Sequence, residues 1–153
     1  MMYQEQQRKP GGEAGASLLE LLGKSGQLKE LYNNAESLSK LIKHVDEFAE
    51  KLKKDVKTTQ IRKFYDKLRS LELKLEKSKL SNQKKEELNE QVRIGVLSLK
   101  PLLAYAVGRN RQLKELVNVL NTAIDKVKDY EDFKKFVELF QTIVAYHKYH
   151  GGD

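Results

Sequence analysis

The chain contains no cysteine and no tryptophan, and only two of its 153 residues are proline. Without cysteine there is no disulfide, no thiolate zinc or iron–sulfur centre and no cysteine nucleophile. Proline is confined to Pro10 and Pro101. Almost the whole chain is therefore free to be helical, since proline is the residue that lacks an N–H and clashes with the preceding turn. Long apolar runs are missing as well. The longest, from Val96 to Val107, is interrupted by Ser98, Lys100 and Pro101 and falls short of the roughly 20 residues that cross a bilayer. The opening stretch, MMYQEQQRKPGGEAGAS, has no apolar core of the kind a secretory signal needs, so a cytoplasmic address and no membrane partner are expected. No run alternates with period two for long enough to be a strand. No phosphate-binding glycine loop, HExxH pair, GxSxG elbow or EF-hand loop is present.

What the chain does have is helical period. Its length suits one domain. Residues 1–15, with Pro10, Gly11, Gly12 and Gly15, read as a disordered tail. Leu18, Leu19, Leu21 and Leu22 form a short apolar piece that ends at Gly23 and Gly26. From Leu28 to Leu52 apolar residues recur at three- and four-residue steps, with Asn33 and Asn34 as an interruption. Thr58 and Thr59 are expected to cap a helix whose stripe is Ile61, Phe64, Tyr65, Leu68, Leu71 and Leu75. Ser81, Asn82 and Gln83 read as a connection, and another helix begins near Lys84. Val92 to Val107 is apolar on nearly all sides, which predicts a central helix. Pro101 has to end, kink or begin a helix there, and Gly108 is the expected C-cap. Leu113 to Val127 and Tyr130 to Val144 define two more helices, the last stopped by Gly151 and Gly152. The expected fold is all-α, a single compact bundle of about five helices over residues 16–153.

The positive charge has a location. Eleven bases against four acids between Lys51 and Lys79 leave +7, the whole net charge of the chain. At about 100° per residue, Arg62 and Arg69 fall on one flank of the Ile61–Leu75 stripe. Lys63, Lys67 and Lys74 fall on the other. A basic helix of this kind fits a polyanion such as RNA; it also fits a lysine-rich face kept only for solubility.

Catalytic chemistry is sparse. His147 and His150 sit one helical turn apart but lack a third ligand, so no metal or other cofactor is expected. They read as two exposed histidines near the end of the chain. An enzyme alternative remains, a small metal-independent ribonuclease built from Arg109, His147 and Tyr149. Tyr105, Tyr146 and Tyr149 are candidates for stacking on bases, although the helical spacing of Tyr105 and Tyr146 favours core packing. A helix–turn–helix DNA binder fits poorly, because no short helix pair with glycine in the turn precedes a polar recognition helix.

Three segments in order, TTQIRKFYDKLR at 58–69, LKPLLAYAVGRNR at 99–111 and FVELFQTIVAYHKYHGGD at 136–153, resemble the small subunit of the type III-A CRISPR effector, the Csm complex. The resemblance runs from about Phe48 to the end. It implies a compact helical bundle without catalytic activity, several copies of which stack beside the backbone subunits that hold the guide. The implied partners are other effector subunits, further copies of the chain, and either the guide RNA–target RNA duplex or single-stranded target RNA. By motif it points to Arg62, Lys63, Lys100, Arg109, His147 and Lys148. Together with the charge pattern, the expected RNA contacts are Lys54, Lys57, Arg62, Lys63, Lys67, Arg69, Lys100, Arg109, Arg111, His147 and Lys148, in the cytoplasm of a prokaryote.

Overall fold

A computed structural model describes residues 13–81 and 83–153. Residues 1–12 of the expected tail, and Asn82 of the expected connection, lie outside them. The elements are α1 (Glu13–Lys24), a short 3-10 turn (Leu28–Tyr32), α2 (Ala35–Leu52), α3 (Thr58–Leu80), α4 (Lys85–Leu97), α5 (Leu99–Arg109), a second 3-10 turn (Arg111–Leu113), α6 (Lys114–Asp125) and α7 (Tyr130–Tyr149). No strand occurs among the described residues. Helix α1 begins at Glu13, a little before the expected domain start at residue 16.

The fold is all-α, as expected, with six helical rods among the described residues when α4 and α5 are taken as one, where about five were anticipated. The extra one comes from α1 and from the way α4 runs into α5. Only Ser98, itself in the right-handed helical conformation, separates the latter two. Pro101, in the first turn of α5, has no N–H to offer the preceding turn. The Ser98 hydroxyl donates to the carbonyl oxygens of Ile94 at 2.7 Å and Gly95 at 3.0 Å, and the helix is interrupted there.

Helix α7 is the central element, packed against α2, α3, α4 and the first 3-10 turn. It buries Phe133, Phe136, Val137, Leu139, Phe140 and Ile143, a broad apolar face that only a helix surrounded by others can satisfy. Helix α1 packs on α2 and α6, and α3 packs on α4 and α7. The expectation that Val92–Val107 would be central is overturned. Interrupted at Ser98, it becomes two short peripheral helices. Their inward sides carry Val92, Val96 and Leu103, while Ile94, Leu97, Leu102 and Tyr105 are exposed.

Two caps also differ from expectation. Lys57, not Thr58 or Thr59, is the N-cap residue of α3, and the Gln60 side-chain oxygen accepts from its N–H at 2.8 Å. Gly108 lies inside α5, whose C-cap is Asn110 in an extended conformation. Other caps follow the expected chemistry. Asn34 accepts from the Ser37 N–H at 2.9 Å, and Asp129 from the Asp132 N–H at 2.8 Å.

The start of α7 is a polar hub. Asp132 is fully buried and accepts from the Lys29 N–H, the Gln27 amide and the Lys128 N–H. Three donors satisfy a carboxylate that would otherwise be very costly to bury. Asp129 receives Lys29 Nζ at 2.6 Å. This hub ties the first 3-10 turn to the far end of the chain.

Candidate functional site

Helix α3 buries one narrow line, Ile61, Leu68 and Leu75, each two turns from the next. Phe64, Tyr65 and Leu71 flank it, half-buried against the core. So narrow a stripe leaves most of the helix surface to solvent. Arg62, Lys63, Lys67, Arg69 and Lys74 are all exposed. Their two flanks open onto different surroundings, as the period predicts.

On the α7 side, Arg62 lines a shallow recess with Tyr65, Asp66, Gln141, Val144 and Ala145. Asp66 places a carboxylate in that recess, and the Gln141 amide donates to the Tyr65 hydroxyl at 3.1 Å. Arg69, two turns beyond Arg62 along the helix surface, is ion-paired to Glu72. The hydrogen bond to Glu72 holds its guanidinium even more firmly protonated than usual.

On the α5 side, Lys63 and Arg109 line a second recess with Gln60, Phe64, Tyr105, Ala106, Asn110 and Leu113. No acidic residue lines it. Lys67 lies one turn further along, over an apolar cleft walled by Leu99, Leu102 and Leu103 of α5. Among the described residues, Lys63, Lys67 and Arg109 have no carboxylate partner, whereas Lys100 is held by Asp125 at 2.7 Å. Long stems packed beside a buried stripe with heads in water are the natural posture of such residues. The remaining expected contacts, Lys54, Lys57, Arg111 and Lys148, are exposed single cations.

His147 corrects the expectation. It is 1 % exposed, not at the surface. Its Nε2 donates to the Val56 carbonyl oxygen at 2.7 Å, and its Nδ1 faces the Thr58 hydroxyl at 3.4 Å. Gly151 turns the chain with φ of 90°, a left-handed conformation that suits glycine. Gly152 then lies against the imidazole, where a Cβ would collide with it. His150 is half-buried and bonds Asp46 at 2.5 Å, while Lys53 Nζ donates to the His150 carbonyl oxygen at 2.9 Å. The Thr58 N–H, at the start of α3, donates to the main-chain oxygen of Asp153. The HKYHGGD segment is thus a clasp that fastens α7 to the α2–α3 connection. Both ring nitrogens of His147 are engaged inside the protein, so it presents nothing to RNA. No cluster of three or more metal-ligating side chains occurs among the described residues. The recess beside Arg109 contains neither His147 nor Tyr149.

Tyr105 corrects a second expectation. It is 67 % exposed rather than packed in the core. Tyr146 does pack on the core, and Tyr149 is exposed, edge-on to Tyr146 and His150. Gln60 and Asn110 also join the recess, and neither was anticipated. No local pattern marks them, because α3 and α5 bring them together from distant parts of the chain.

Fold and site together define a small basic helical protein with an outward cationic face and a core fastened by the clasp. The chain belongs to the Csm2 Type III-A family, whose model matches residues 35–153. It is a subunit of the type III-A CRISPR effector complex and associates with other subunits of it. No curated protein and no solved structure matches it. No helix among the described residues is long and apolar enough to cross a membrane.

Proposed function

We propose that the chain is a non-catalytic RNA-binding subunit that contacts the phosphate backbone of the guide–target RNA through the α3–α5 face, in the prokaryotic cytoplasm. The observation that carries this reading is the facing pair of margins. Lys63 on α3 and Arg109 on α5 line one recess, Lys67 lines the apolar cleft beside it, and no acid is among the lining residues of either. Cations so placed bind phosphates by releasing condensed counterions, a term that carries no sequence information. Guide–target pairing supplies the specificity, and the protein needs only to hold the strand. Arg62, Lys54, Lys57, Arg111 and Lys148 extend the positive surface, whereas Arg69 and Lys100 are already committed to their own carboxylates.

Contacts to neighbouring subunits, further copies of this chain included, fall on the outer side of α4. Ile94 and Leu97 are exposed on that helix, and large apolar side chains left on a surface favour protein partners.

The test is incubation of the purified chain with labelled single-stranded RNA, with and without EDTA, across a salt series. The expected result is retention without cleavage, falling by about one to three decades between roughly 50 and 200 mM salt if about four to six phosphates are contacted. Cleavage would restore the ribonuclease alternative. Binding insensitive to salt would overturn the electrostatic mechanism.

A further inference from the structure

Backbone binding alone leaves the exposed ring of Tyr105 unexplained. An aromatic side chain that is two-thirds exposed, on a helix whose neighbours bury leucines, costs apolar hydration with no internal return. It stands in the recess lined by Lys63 and Arg109, over a floor that includes Phe64, Ala106 and Leu113. The two amide side chains of that recess are also biased. The Gln60 oxygen accepts from the Lys57 N–H at 2.8 Å, and the Asn110 oxygen accepts from the Gln112 N–H at 3.1 Å. With both oxygens occupied, each amide has its NH2 left to offer. The recess therefore combines two cations, two amide donors, one exposed aromatic ring and no acid.

We infer that this recess is a single-nucleotide site, in which one unpaired RNA base stacks on Tyr105 while its phosphate meets Lys63 and Arg109. The occupant has to be rich in acceptors and carry a flat apolar face, and a nucleotide joins both properties in one unit. Phosphate, ribose and base-carbonyl oxygens all suit the donors. Every base has a π face, so such a site tolerates sequence. A paired base keeps its faces inside the helix stack, so the site distinguishes single-stranded RNA from duplex. The inference rests on the RNA-backbone reading but adds to it a platform and a strand preference that charge alone does not produce.

Tyr105→Ala and Tyr105→Phe separate the two. The probes are a labelled oligouridylate and a blunt RNA duplex of the same length, titrated with the full chain at several salt concentrations. The ring is solvent-facing, so both variants should keep the wild-type circular dichroism spectrum and melting temperature. Tyr105→Ala should weaken oligouridylate binding about 5- to 100-fold, the usual cost of removing one stacking partner. The slope against salt should stay unchanged and duplex binding unaffected, and Tyr105→Phe should restore affinity. Full affinity in Tyr105→Ala, with losses in Lys63→Glu and Arg109→Glu, would overturn the nucleotide site and leave backbone binding standing. Equal loss on oligouridylate and duplex would also overturn it. If none of the four variants weakens binding, the site and the backbone reading through this face both fail.

Discussion

Helices α3 and α7 run beside each other and have nearly the same length, 23 and 20 residues. They use their surfaces in opposite ways. Helix α7 buries eight side chains, and two of them, Asp132 and His147, are polar groups spent on the fold. Helix α3 buries three and leaves its cations to solvent. The width of the buried stripe is what separates them. A broad stripe makes a helix a structural axis; a narrow one makes it a display surface, with function on the flanks. The two meet at the clasp, where His147 and the Asp153 oxygen hold the start of α3, so the inward helix positions the outward one.

The largest expected effect lies on α7. Phe136→Ala or Phe140→Ala should cost about 3–5 kcal/mol, because each leaves a ring-sized cavity in the centre of the bundle. A thermal or denaturant melt reads this directly, and a wild-type melt for both would abolish the contrast with α3. Next comes the clasp. Gly152→Ala drives a methyl into the His147 ring, and overpacking of this kind should cost about 1–3 kcal/mol. The same variant should loosen the start of α3, visible as faster amide exchange at Thr58 to Ile61. An unchanged melt and unchanged exchange would show that the clasp does not position α3.

Smaller again is the hub at the start of α7. Partial burial alone would raise the Asp129 carboxyl, but hydrogen bonds from Lys29, the Asp132 N–H and Gln27 outweigh it and hold it below the ordinary carboxylate range. A depressed folded value means that this stabilisation is present above the unfolded carboxylate range and lost as pH falls through the folded one. Asp129→Ala should therefore be less stable than wild type by about 1 kcal/mol at neutral pH, the usual worth of an N-cap. The gap should close on acidification below about pH 4. A gap that is constant down to acid pH would mean the carboxylate charge plays no part.

How legible all this is from residues alone differs between regions. Helix α7 announces itself, since Tyr130, Phe133, Phe136, Phe140 and Ile143 repeat at helical steps with few competitors. The two cationic flanks of α3 are equally plain, because a single clean stripe orients everything around it. Helix α5 is opaque. Its residues are apolar on all sides, so period could not tell the inward Leu103 from the outward Leu102 or Tyr105. Arg109 is marked as an RNA contact only by the family motif. His147 is opaque for another reason. Its partners are the Val56 carbonyl and the Thr58 hydroxyl, about ninety positions away, and a backbone acceptor leaves no trace in sequence.

The central claim is that the α5-side flank of α3 binds RNA without contributing to the fold. One comparison tests it most directly. Lys63, Lys67 and Arg109 are changed together to Glu, and Lys24, Lys40 and Lys43, all exposed on α1 and α2, are changed in the same way as an equal-charge control. Exposed substitutions of this kind usually shift stability by no more than about 0.5 kcal/mol each, so both proteins should melt close to wild type. Single-stranded RNA retention should vanish in the first and persist, somewhat weakened, in the second. Equal retention in the two, or equal loss, would mean that total charge and not this face holds the RNA, and would contradict the account.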